Sequence, residues 1–134
     1  MNEKVLVVDD DPSMARLIEH ILQGKGYQVI TTNNGLKALK IARSEELDMI
    51  ILDLMLPGVD GFEVCHQLRE EPNTADVPIL VLSGKMDEKD KSEATKVGAD
   101  AYLTKPVMSP ELCRKVHDLL ALKAAARQSQ KTSV

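Results

Sequence analysis

Met49-Ile50-Ile51-Leu52-Asp53 is a run of four apolar residues that ends on a carboxylate. The same arrangement recurs on either side of it. Val5-Leu6-Val7-Val8 runs into Asp9-Asp10-Asp11, Ile79-Leu80-Val81-Leu82 into Ser83-Gly84, and Ala101-Tyr102-Leu103-Thr104 into Lys105-Pro106. Short, bounded, β-branched-rich runs separated by helical patterns read as buried parallel strands. In open parallel sheets, ligands occupy the crevice beyond the carboxyl ends of the strands. The sequence therefore predicts that carboxylates, a hydroxyl and an ammonium converge on one rim. Such a rim suits a divalent cation and a phosphoryl group.

The segments between these runs carry helix signals. After a first strand over Lys4–Val8, Asp11 is placed to cap a helix from Pro12 to about Gly24, with proline in the favoured first turn. Met14, Leu17, Ile18, Ile21 and Leu22 form one apolar stripe on it. Tyr27–Thr31 alternates and ends on no reactive group, which fits an edge strand. Asn33-Asn34-Gly35 opens a second helix to about Ser44, and Met49–Asp53 is the third strand. Pro57-Gly58 is a turn pair, and Asp60 with Glu63 has capping-box spacing before a third helix with Phe62, Cys65 and Leu68 inside.

Val77–Leu82 reads as the fourth strand and Ala101–Thr104 as the fifth. Between them a helix over about Glu88–Val97 is rich in Lys and Glu, and only Met86, Ala94 and Val97 are able to anchor it. So little apolar area predicts one of the less stable elements. Ser109-Pro110-Glu111 opens a last helix with Leu112, Val116, Leu119 and Leu120 facing in. Five β-α units in succession make a parallel sheet with helices on both faces. The stretch from Ala124 to Val134 turns small and polar and reads as a helix end or linker tail.

With 134 residues the chain is one domain long, and 43% hydrophobic against 28% charged residues describes an ordinary globular protein. The net charge of −4 is spread along the chain, so no basic block argues for nucleic acid, and no run has membrane-spanning length. Met1-Asn2-Glu3-Lys4 leads straight into a strand, from which no signal peptide and a cytoplasmic location are expected. Cys65 and Cys113 show no metal or redox spacing and are expected to be buried reduced thiols. Tyr27, Phe62 and Tyr102 are the only aromatic residues, too few for a base- or flavin-stacking surface. His20, His66 and His117 fall on helices at no ligand spacing.

Asp9, Asp10 and Asp53 brought together would repel one another, raising their pKa values unless a cation intervenes. Mg²⁺ takes a few carboxylate oxygens, keeps several waters and accepts phosphate oxygens as further ligands. It would neutralise charge building on a phosphoryl group in transfer. A carboxylate is also able to accept that group covalently. Ser83 offers a hydroxyl and Lys105 a point charge.

At this point the chain resembles the receiver domains of two-component response regulators over residues 4–122. The family's paired acids appear as Asp9-Asp10, its phosphoacceptor as Asp53 in Asp53-Leu54-Met55-Leu56-Pro57-Gly58, its Ser/Thr as Ser83, and its Lys-Pro as Lys105-Pro106. Tyr102 matches its aromatic switch position. The resemblance implies one α/β domain over 1–122 with a tail over 123–134. The fold would be a doubly wound, flavodoxin-like (βα)5 three-layer sandwich with strand order 2-1-3-4-5. It implies Mg²⁺, with Mn²⁺ as an alternative ion, held by Asp10, Asp53 and the Met55 carbonyl, and by Asp9 through water.

The resemblance further implies a histidine kinase or phosphotransfer protein as phosphodonor and a downstream protein or output domain as target. Ser83 and Tyr102 would be the moving parts, Lys105 would pair with the phosphate, and the Lys105–Pro106 bond would be cis. A phosphorylation-dependent homodimer through the fourth and fifth helices is a further expectation, without direct nucleic-acid or membrane binding. The chain would catalyse only its own phosphorylation and dephosphorylation. Two other readings compete: an Mg²⁺-dependent aspartyl-phosphate phosphohydrolase, and a receiver-like interaction module that needs no phosphorylation. Val107 and Gly84 depart from the family's commonest residues. The positions of Met55 and Lys85 are ones that modulate phosphoryl lifetime.

Overall fold

The computed structural model describes residues 2–84 and 87–132, the last six of them as backbone. Lys85 and Met86, the second expected to anchor the fourth helix, lie outside the described residues. The chain runs β1 (Lys4–Val8), α1 (Pro12–Gln23), β2 (Gln28–Thr32), α2 (Gly35–Ser44) and β3 (Met49–Asp53). A two-residue hairpin, Met55–Leu56 with Val59–Asp60, precedes α3 (Gly61–Glu70). Then come β4 (Ile79–Ser83), α4 (Glu88–Lys96), β5 (Ala101–Thr104) and α5 (Ser109–Thr132).

The five long strands form one parallel sheet in the order β2-β1-β3-β4-β5. Its two faces are read off alternate residues. Leu6, Val8, Ile50, Leu52, Ile79 and Val81 pack against Ala38, Leu39 and Ala42 of α2, Val64, Cys65 and Leu68 of α3, and Ala94 of α4. Val5, Val7, Met49, Ile51, Leu80 and Leu82 pack against Ile18 and Leu22 of α1 and Leu112 and Val116 of α5. Both faces are covered, which is why the three central strands carry no polar alternation. Val107 is buried in the second cluster beside α5.

Several local expectations shift for identifiable reasons. Tyr27 does not begin β2, because its N–H is spent on the Leu22 carbonyl at the end of α1. The fourth strand starts at Ile79, since Pro78 has no N–H and Val77 N–H closes a turn onto Thr74 O. Asp60 does cap α3, accepting from Phe62 N, but the Glu63 carboxylate accepts from Gln67 one turn on instead of closing the box. Leu17, on the flank of the α1 stripe, remains exposed, while Cys113 is only half-buried. Burial pushes the Cys65 thiol up to about 11. Through the helix-favouring Ala124-Ala125-Ala126, α5 continues unbroken to Thr132.

Arg69 carried no sequence signal, yet it joins three segments from the C-terminal end of α3. Its Nε donates to Gly98 O at 2.9 Å, Nη1 to the carbonyls of Thr74, Ala75 and Val77, and Nη2 to Asp100 Oδ2 at 2.6 Å. Asp100 Oδ2 also accepts from Ile79 N at 2.8 Å. The guanidinium thereby satisfies carbonyls in the loop before β4 and in the turn after α4 that no ladder reaches.

Gly61 fixes the return of the 53–61 segment. A Cβ there would lie 2.5 Å from Leu54 Cα and 2.6 Å from Leu54 O, backbone that cannot yield as a side chain would. Gly61→Ala should cost about 1–3 kcal/mol in urea unfolding. Gly84→Ala, whose Cβ meets nothing within 4 Å, should stay within about 0.5 kcal/mol of the parent.

Candidate metal and phosphoryl site

The C-terminal rim of the sheet gathers the groups that its strand ends carry. Asp9 follows β1, Asp53 ends β3, Ser83 ends β4, and Lys105 follows β5. Asp9 and Asp53 are only 1% and 2% exposed, an unusual condition for carboxylates and one that needs compensation. Lys105 supplies it: Nζ stands 3.0 Å from Asp53 Oδ2 and 3.2 Å from Asp9 Oδ2. Backbone donors hold the other oxygens, Met55 N on Asp53 Oδ1 and Asp11 N on Asp9 Oδ1, both at 3.0 Å.

Three consecutive aspartates thus divide three tasks. Asp9 points into the site, Asp10 stands exposed on its rim, and Asp11 Oδ1 caps α1 by accepting from Ser13 N and Met14 N. Asp9, Asp10 and Asp53 each offer an oxygen, all within 4.8 Å of one another. Asp9 Oδ2 is buried and, although near Lys105, lacks a well-directed hydrogen bond. Hard oxygen donors in this number, one of them under-satisfied, fit a small divalent cation that keeps part of its water shell. Asp10 also lines the groove between α1 and α2 and the one along residues 54–60, so the rim opens to solvent.

The other expected residues fall at different distances from this centre. Ser83 is 6% exposed at the end of β4, and its carbonyl accepts from Lys105 N at 2.7 Å. Met55 keeps its backbone N–H on Asp53 while the residue as a whole is 72% exposed. The Lys105–Pro106 peptide is cis. Tyr102 is half-buried on β5, packed on the α2/α3/α4 side of the sheet, with Lys91 Nζ 5.2 Å from its ring centroid. His66 and His117 pair with the neighbouring carboxylates of Glu70 and Asp118 on exposed helix faces and take no part in the site.

The chain matches the family model described as the response regulator receiver domain over residues 5–117. It is 46% identical over 120 residues to the alkaline phosphatase synthesis transcriptional regulatory protein PhoP of Bacillus subtilis, covering 90% of this chain and 49% of that protein. The chemotaxis protein CheY4 of Vibrio cholerae superposes with a TM-score of 0.86 at 34% identity, over 89% of this chain and 99% of that one. The receiver domain of a Pseudomonas aeruginosa sensor histidine kinase, solved with a magnesium ion coordinated in its active site cleft, gives 0.83 at 29% identity, over 90% and 99%. The chain therefore belongs to the response regulator receiver domain family of two-component systems. It spans about half the length of the curated relatives it matches. No helix among the described residues is long and apolar enough to cross a membrane.

Burial raises the Asp9 carboxyl above its ordinary value, and the negative charge of Asp53 adds to this against the Asp11 N–H and Lys105. On Lys105, burial pulls down, but the hydrogen bond and charge of Asp53, joined by Asp9, outweigh it and leave the ammonium above its usual range. A raised acid means that ionised Asp9 works against the metal-free fold, a penalty relieved as pH falls through its folded pKa. A raised base means that the Lys105 contribution is fully present below its ordinary pKa and lost as pH rises through the folded one. In EDTA at pH 7, Asp9→Asn should therefore unfold at higher urea than the parent. The gain should shrink as pH is lowered through the Asp9 titration.

Proposed function

We propose that this chain is a phosphorylation-controlled switch in which Asp53 accepts a phosphoryl group from a histidine kinase or phosphotransfer protein. The observation that carries the reading is the buried Asp9–Lys105–Asp53 cluster at three strand ends, with the Asp10 oxygen within ligand reach. Asp9, Asp10 and Asp53 would hold Mg²⁺, with the Met55 carbonyl as a further oxygen. When bound, the ion neutralises the carboxylates and the oxygens of the transferring group.

A carboxylate oxygen of Asp53 attacks phosphorus in line with the scissile bond of the donor. The P–N bond to the donor histidine breaks, and its electron pair leaves with the imidazole nitrogen. Met55 N–H fixes the orientation of the Asp53 carboxylate. Lys105, already paired with Asp53, is placed to follow the new charge onto the phosphoryl oxygens, and the Ser83 hydroxyl to donate to one of them. Water later hydrolyses the acyl phosphate, so the chemistry is confined to the chain's own phosphorylation and dephosphorylation. Met55 stands two residues after Asp53, where an aspartyl-phosphate hydrolase needs a general acid, and this supports the switch over the enzyme.

Phosphorylation adds about −1.5 to −2 charges at this cluster, enough to bias an element balanced within a few kcal/mol. Helix α4 fits that description, since Ala94 is its one buried residue. With β5 and α5 it forms the face proposed to meet a downstream protein, an output domain or a second copy.

Incubation with acetyl phosphate and Mg²⁺ should add one phosphoryl group by intact mass, absent from Asp53→Ala and from an EDTA control. Saturating Mg²⁺ should stabilise the parent, by about 2.7 kcal/mol at 100 times its Kd, and stabilise Asp9→Asn far less. Failure of both Mg²⁺ and beryllofluoride to bind would leave a phosphorylation-independent interaction module.

A further inference from the structure

Helix α4 is secured at one end. Val97 O receives the Cys65 thiol at 3.6 Å, Gly98 O receives Arg69 Nε at 2.9 Å, and Ala99 N–H closes onto Ala94 O. Nearer its N-terminus, among the described residues, Glu88 and Lys89 are exposed, and Asp90 and Lys91 are half-buried. Lys91 nevertheless reaches across to β5, placing Nζ 5.2 Å from the Tyr102 ring centroid. Its other partner, Glu88, is 3.8 Å away with its side chain 96% exposed, a pair that solvent screens heavily. The ring is the better partner because it is half-buried and its face attracts a cation.

We propose that Lys91 is a positioning residue for Tyr102, holding the ring and the N-terminal half of α4 in the arrangement of the unphosphorylated protein. This rests on the phosphoacceptor reading above and adds the residue that opposes the switch. Tyr102 lies on the strand that leads directly to Lys105, two residues beyond Leu103. Movement of its ring away from α4 must break the Lys91 contact, whereas an unmoved ring keeps it. The contact therefore favours one of two states, and a ligand that favours the other must work against it. An exposed or half-buried cation–π contact is strong enough to shift such an equilibrium about two- to fivefold.

The test is titration of the full chain with beryllofluoride in saturating Mg²⁺, followed by the amide resonances of Asp53 and Ser83. The variants are Lys91→Met, which keeps a long apolar stem without charge, and Lys91→Arg, which keeps a cation able to stack on the ring. Each is made alone and with Tyr102→Leu. Lys91→Met should bind beryllofluoride about two- to fivefold more tightly than the parent, Lys91→Arg should match the parent, and Lys91→Met should change nothing once Tyr102 is leucine.

A second readout needs no ligand: the Lys91 Hε protons should be shifted upfield by the ring and relax to ordinary positions in Tyr102→Leu. Equal affinity for parent and Lys91→Met, or the same change in both Tyr102 backgrounds, overturns the proposal while leaving the phosphoacceptor intact. Absence of beryllofluoride binding to the parent overturns both.

Discussion

Everything at the functional rim depends on the Lys105 ammonium standing between two buried carboxylates. Asp9 and Asp53 close adjacent strands, and an acid at each end with almost no exposure would repel its neighbour and forfeit hydration. Lys105 reaches both Oδ2 atoms from β5, on the far side of β4. The backbone supplies the remaining donors locally, from the residue two places after each aspartate. The result is charge held in a compensated but incompletely satisfied state. That is a suitable resting condition for the cation and the added negative charge that the proposed function would bring to this site.

The rest of the fold keeps that arrangement in place. Apolar strands covered on both faces fix the register, and register determines which strand-end groups share the rim. Gly61 lets α3 begin against the Leu54 backbone, which holds the 53–61 segment close behind Asp53. At the opposite end of α3, Arg69 ties the loop before β4 to the turn between α4 and β5. Among the described residues stability is thus unevenly distributed: the sheet, α3 and the C-terminal end of α4 are tightly tied, while Glu88 and Lys89 at the start of α4 stand exposed. The proposed switch would use such a contrast, because a perturbation moves the weakly held element first.

Much of this was legible along the chain because it is local. The strand runs, the caps by Asp11, Asn34 and Asp60, and the turn at Gly58 each depend on residues a few positions apart. Where local reading failed, a competing partner or the position on a helix was the cause. Tyr27 gave its N–H to a helix carbonyl, and Glu63 was engaged by Gln67. Cys113 retained exposure on a helix whose Leu112 and Val116 occupy the core-facing stripe.

The sequence by itself determined the element order, the layered α/β architecture and the identity of the polar groups at the strand ends, since periodicity and capping are short-range properties. Only the tertiary structure decided that Asp9 turns inward while Asp10 faces solvent, and which oxygens Lys105 engages. It also decided that Arg69 bridges three segments and that Lys91 lies over Tyr102. These contacts join residues from 5 to 96 positions apart, as in Arg69–Thr74 and Lys105–Asp9, and packing rather than local propensity brings them together.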